Sequence, residues 1–139
     1  MSQTTASTFE RSLAAGGILL GIAGSLAVWY FNPSTARFFP ICPLYALTGL
    51  SCPGCGLTRG FHALFHGDIG TALHFNVLLP FYILIFAYVF VSLLLIVWRG
   101  RGLSFRLFTP ATVYGFLTLS LLFGVLRNLP FYPFTFFSL

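Results

Sequence analysis

The chain has no lysine and only two acidic residues, Glu10 and Asp68, in 139. Charged residues are 6% of the total, against about 25% in soluble domains. So few charges cannot cover the surface of a water-soluble globule, and that class is excluded. All seven basic residues are arginine, standing at the ends of apolar runs rather than in a cluster. Such arginines anchor helices at lipid headgroups. They make no cationic stripe tracking phosphates, which excludes nucleic acid as a partner. What the sequence has in abundance is apolar surface, at 58% hydrophobic residues and a mean hydropathy of +0.93. Its solvent is mostly the lipid bilayer.

Leu13 to Phe31 runs for nineteen residues without a charge. At about 1.5 Å per residue it covers most of the roughly 30 Å of bilayer hydrocarbon. Trp29, Tyr30 and Phe31 form an aromatic belt at its end, and Asn32-Pro33 stops it. Residues 1–11 therefore read as a polar N-terminal tail and 12–31 as the first transmembrane helix. A signal peptide cleaved near Ala36 is the competing reading. The run exceeds the about 7–15 residues of a signal core and lacks a small-x-small site, so a retained span is expected. Within it Gly17, Gly21 and Ser25 recur every four residues, a spacing that lets another helix approach, in the same chain or in a homo-oligomer.

A second span is expected over 77–98, with Asn76 able to cap its first turn and Pro80 early enough to be tolerated. An Arg-rich loop over 99–109 follows. Thr109-Pro110, an N-cap with proline at the first helical position, opens a third span over 110–127. The aromatic residues of 128–139, among them Phe131, Tyr132, Phe134, Phe136 and Phe137, suit the membrane interface and are too few to span again. Arg11, Arg99, Arg101 and Arg106 fall on one side of this arrangement, and Arg37, Arg59 and Arg127 on the other. The dense Arg99–Arg106 loop places itself and the N-terminus in the cytoplasm, with 32–76 outside.

All three cysteines, all three histidines and Asp68 lie within that 32–76 segment. Cys52-Pro53-Gly54-Cys55-Gly56 is a CPxCG unit, in which two thiolates separated by two residues can reach one tetrahedral ion. Pro53 fixes the turn, and Gly56 permits a positive φ. One such knuckle supplies half a site. Cys42 offers a third thiolate and His62 or His66 an imidazole, giving a Cys3His set for zinc, with Cys42, Cys52, Cys55 and His62 as its candidate ligands. The run Leu57 to His66 is two-faced at helical spacing. Leu57, Phe61, Leu64 and Phe65 share one side, and Thr58, Arg59, His62 and His66 the other. Gly67 reads as its stop and Asp68 as the cap of a short helix from Ile69. Arg59 is either a snorkelling cation, a site for an anionic headgroup, or a partner for Asp68; His74, off that face, is structural. The same placement also fits a reactive thiol, since the helix N-terminus and Arg59 would stabilise a Cys55 thiolate, with Cys52 and Cys55 cycling between dithiol and disulfide. A structural disulfide leaves one of three cysteines unpaired.

Cys42-Pro43, Gly49, Cys52-Pro53-Gly54-Cys55-Gly56-Leu57-Thr58-Arg59, Gly67-Asp68, Ala72 and Asn76 together resemble the pattern of a family of small bacterial membrane proteins known as domain of unknown function 2752. The resemblance covers about a quarter of the chain. It departs from the pattern after Asn76, where Val77 stands in place of a proline. The resemblance implies a multi-pass protein of the bacterial cytoplasmic (inner) membrane and supplies no reaction.

The expected architecture is thus an all-α integral membrane protein, with three transmembrane helices and a Cys-containing loop with a short amphipathic or re-entrant helix between the first and second. The expected role is a binding or assembly module for a membrane-protein partner, with zinc at the CPxCG loop. A thiol-disulfide redox protein or enzyme subunit is the alternative. A transporter is disfavoured because no charge interrupts the spans.

Overall fold

In a computed structural model that describes residues 5–36, 39, 42–104 and 109–129, the described chain is helical, with no strand. The order is α1 (Thr8–Tyr30), α2 (Pro43–Thr48), α3 (Leu57–Phe65), α4 (Ile69–Phe75), α5 (Leu79–Arg99) and α6 (Pro110–Arg127). Helices α1, α5 and α6 are each long and apolar enough to cross a membrane. Their large apolar side chains are outward, with Leu20 77% and Leu84 68% exposed. A surface of this kind belongs in lipid, where only closed backbone hydrogen bonding is tolerated. The aromatic tail from Phe131 onward, Arg37 and Arg106 lie outside the described residues.

Helix α1 begins inside the segment read as a polar tail. The reason is a capping box: Ser7 N–H donates to Glu10 Oε2 (2.7 Å), and Glu10 N–H donates back to Ser7 Oγ (3.3 Å). This satisfies two donors that a helix start otherwise leaves open, so residues 8–11 join the helix despite their polarity. Helix α5 starts at Leu79, two residues after the Val77 expected, because Asn76 Oδ1 accepts from Leu78 N–H (2.9 Å) and holds Val77 and Leu78 in a turn. Thr109 Oγ1 accepts from Thr112 N–H, with Pro110 opening α6.

The chain forms two compact units. One comprises Met1–Ala27 with Phe81–Leu107. In it a side chain at Gly17 would meet Leu93 Cδ1 at 3.3 Å, so the first small residue of the α1 stripe admits α5 of the same chain, while Gly21 has nothing within 4 Å. Gly100, at φ +68°, ends α5 beneath the Arg11 guanidinium and accepts Ala6 N–H at its carbonyl (2.7 Å). The chain then folds back along α5. Ser92 Oγ accepts from Leu103 N–H (3.1 Å), and Tyr88 OH donates to Ser104 O (2.7 Å). The polar groups of α5 thus satisfy the Leu103 N–H and the Ser104 carbonyl.

The other unit, Val28–Pro80 with Phe108–Leu139, contains every cysteine and histidine. Helices α3 and α4 are joined by a left-handed Gly67 (φ +82°), with Gly67 N–H on Leu64 O (3.0 Å) and Asp68 N–H on Ala63 O (3.0 Å). This pair of bonds is a Schellman motif. Asp68 then caps α4 by accepting from Thr71 N–H (3.0 Å). The two helices meet at small residues, Gly60 and Ala63 of α3 and Ala72 of α4, all buried. The buried stripe is therefore not the Phe-rich side that helical spacing singled out; Phe65 is exposed. Close backbone approach selects residues without bulk. A Cβ at Gly60 would stand 3.1 Å from Ala72 O and 3.5 Å from Leu79 Cδ1. Gly60→Val should accordingly force α3 from α4 and destabilise the protein by roughly 1–3 kcal/mol, read as a lower melting temperature in detergent, while Gly21→Ala leaves it unchanged.

Candidate metal centre

Three sulfur atoms converge. Cys42 precedes α2, whose start and stop follow local rules: Pro43 at its first turn and Gly49 (φ +72°) closing it through Gly49 N–H to Tyr45 O (2.9 Å). That proline-then-glycine punctuation could have revealed α2 in the sequence. Cys52 and Cys55 belong to a tight turn in which Cys55 N–H donates to Cys52 O (3.0 Å) across Pro53-Gly54, and Gly56 takes φ +81° to start α3. The Sγ atoms of Cys42, Cys52 and Cys55 all lie within 4.8 Å of one another. Cys55 Sγ donates to Cys52 Sγ (3.0 Å) and accepts from Cys52 N–H (3.1 Å). All three are free thiols.

The backbone of this turn is clamped from two directions. Asn76, fully buried, donates through Nδ2 to Pro53 O (2.8 Å) and Cys55 O (3.3 Å). Arg127, at the end of α6 and only 2% exposed, donates through Nη1 to Cys55 O (2.7 Å) and through Nη2 to Phe75 O (3.1 Å). Asn128 exchanges two bonds with Ser51, accepting its N–H (2.8 Å) and donating to its carbonyl (2.9 Å). Gly124 of α6 lets Pro53 seat, since a Cβ there would meet Pro53 Cγ at 3.1 Å. The expectation that every arginine anchors a helix at the headgroups fails at Arg127. Its guanidinium is a buried donor to two carbonyls, Cys55 O in the turn and Phe75 O at the end of α4, which lack helical partners.

The remaining sequence-derived candidates sit elsewhere. His62 is half-buried, and its Nδ1 lies 2.6 Å from Val28 O, one of the carbonyls that the end of α1 leaves open. His66 Nδ1 is 2.8 Å from His62 O; its ring is stacked on Trp29 at 6.3 Å and lies 4.4 Å from the His62 ring. A carbonyl only accepts, so each Nδ1 carries the hydrogen. Asp68 is the α4 cap, with its carboxyl held below the ordinary range by the Thr71 hydroxyl and N–H. Thr58 is exposed, Arg59 and His74 are half-buried, and none of the three joins the sulfur cluster.

The thiols are not equivalent. The Tyr45 N–H, then the Cys52 thiol, hold Cys42 down to about 7. Burial, then the Cys52 and Cys42 thiols, push Cys55 up to about 12. The anticipated activation of Cys55 by a helix terminus and Arg59 is therefore reversed: Cys55 is 6% exposed, and burial is the largest influence on its thiol. As apposed thiols the cluster resists ionising fully, whereas a divalent cation at its centre would deprotonate all three and remove their mutual repulsion.

The architecture is that of a multi-pass, all-helical chain carrying a three-thiol centre. Residues 42–90, which span the three cysteines, α2 to α4 and the first half of α5, match the model of a family described as a protein of unknown function, DUF2752, the family that the CPxCG pattern resembles. No curated protein and no solved structure matches the chain. The matched residues stop short of α6, which supplies Arg127 and Asn128 to the clamp.

Two outcomes follow. In metal-free protein, iodoacetamide labelling across pH 6–10 should modify Cys42 first, rising through about pH 7, and Cys55 last, as read by peptide mass mapping. Arg127→Met should take the side-chain donor from Phe75 O and leave Cys55 O with the longer Asn76 bond alone, costing about 1–3 kcal/mol and lowering the melting temperature in detergent, whereas Arg59→Met should leave it near wild type.

Proposed function

We propose that the chain is a small membrane-embedded binding or assembly module organised around one zinc ion held by Cys42, Cys52 and Cys55. The observation that carries this reading is the convergence of three thiols from two separate segments within 4.8 Å. The clamp around them supports it: Asn76, Arg127 and Asn128 hold the turn through its backbone groups. Charge supports it as well. Three thiolates and a divalent cation sum to minus one, and the buried Arg127 beside Cys55 offsets that charge where an uncompensated one would be costly. The ion would tie α2 to the start of α3 and so fix α3 at the membrane face, presenting Thr58 and Arg59 to an anionic headgroup or to a membrane-protein partner. In this reading the site lies on the outer face of a bacterial cytoplasmic membrane.

The second reading is dithiol-disulfide exchange by Cys52 and Cys55, favoured by their 3.0 Å sulfur separation. One experiment separates the two. Metal content and free thiols are measured together on anaerobically purified protein in detergent, for wild type and Cys52→Ser. About one zinc per chain, lost with folded yield in the variant, is the expected result. Metal-free protein with a reversible Cys52–Cys55 disulfide would overturn it.

A further inference from the structure

The zinc reading leaves one position of the ion to be assigned. Structural zinc is four-coordinate, whereas sites with three protein ligands keep a place for an exchangeable one. Every Cys, His, Asp and Glu of this chain lies among the described residues, and only the three cysteine sulfurs come together. His62, the residue expected to complete a Cys3His set, has its Nδ1 bonded to Val28 O, and neither it nor His66 belongs to the cluster. Glu10 is engaged in the capping box that starts α1, and Asp68 as the α4 cap. Exposure gives the direction of approach: Cys55 is buried against the clamp, while Cys42 and Cys52 are half-exposed.

We propose that the ion at Cys42, Cys52 and Cys55 keeps a fourth coordination position open on the side of Cys42 and Cys52, and that this position takes a neutral imidazole from outside the chain in exchange for water. Charge balance selects a neutral donor. A divalent ion, three thiolates and Arg127 sum to zero, so a neutral ligand preserves neutrality and an anion adds an unpaired charge beside the buried Cys55 and Arg127. Among the ligands zinc accepts from proteins, histidine nitrogen is the neutral one. In the exchange, water leaves with its lone pair and an unprotonated imidazole nitrogen donates its own. No proton or electron moves. The site would then dock a histidine side chain, which deepens the assembly role on which this inference rests.

The test uses full-length protein in detergent loaded with Co²⁺, whose visible absorption reports the ligand set. Wild type and His62→Ala should give the same three-sulfur spectrum. Free imidazole should shift its bands saturably, and azide at equal concentration should produce less than about a tenth of that change. A metal-loaded dimer that imidazole dissociates assigns the incoming histidine to a second copy of the chain; a single-copy complex assigns it to another protein. A resting spectrum that changes in His62→Ala, or one indifferent to imidazole, overturns the open position while leaving the metal centre standing. An azide response equal to that of imidazole overturns the neutral-donor rule. Failure of wild type to bind Co²⁺ overturns the inference and the metal reading together.

Discussion

The guanidinium of Arg127 is the interaction on which the cysteine unit depends. A tight turn such as Cys52–Cys55 points carbonyls away from any helical ladder, and a buried carbonyl needs a donor. One planar cation with several donors reaches both Cys55 O and Phe75 O, joining the turn to the end of α4. Lysine could not do this with the same geometry. Burying such a charge is costly, and the two carbonyls it meets offset part of that cost.

The clamp also explains why small residues recur around the site. Gly124 exists to let Pro53 approach α6, and Gly60 lets α3 lie on the backbone of α4. Asn76 works at three places at once: its amide donates to Pro53 O and Cys55 O while its carbonyl caps the turn into α5. Replacing any of these with a residue of similar polarity but different shape would disturb both the turn and a helix terminus, so their chemistry and their geometry are not separable.

Much of the fold was legible in the sequence because it follows from local physics. Uninterrupted apolar length gives α1, α5 and α6. Gly67, Asp68 and Thr109-Pro110 announce helix ends, and CPxCG announces a turn that gathers two thiols. The start of α1 was hidden because Ser7 and Glu10 look polar and only become helical through their reciprocal bonds. The third thiol was readable by type, and its arrival at the knuckle depends on α2, whose Pro43 and Gly49 signals were present but brief. Arg127 and Asn128 were illegible in their true role. Their partners, Cys55 and Ser51, lie more than seventy residues away, and an arginine ending an apolar helix ordinarily snorkels to headgroups. The imidazole of His62 was credible on a helical wheel, which records faces but not the carbonyl of a distant helix end.

The link between α3 and α4 has a mechanical consequence. Two backbone bonds hold Gly67 and Asp68, the Asp68 carboxylate caps the next turn, and Gly60 lies where a side chain would crowd the Ala72 carbonyl. Such a pair transmits displacement instead of absorbing it. A pull on Cys55 would be felt at Asn76 through their shared hydrogen bond and so at the first turn of α5, without any intervening compliant loop. Whatever engages the cysteines is therefore separated by a single side chain, Asn76, from the turn that starts α5.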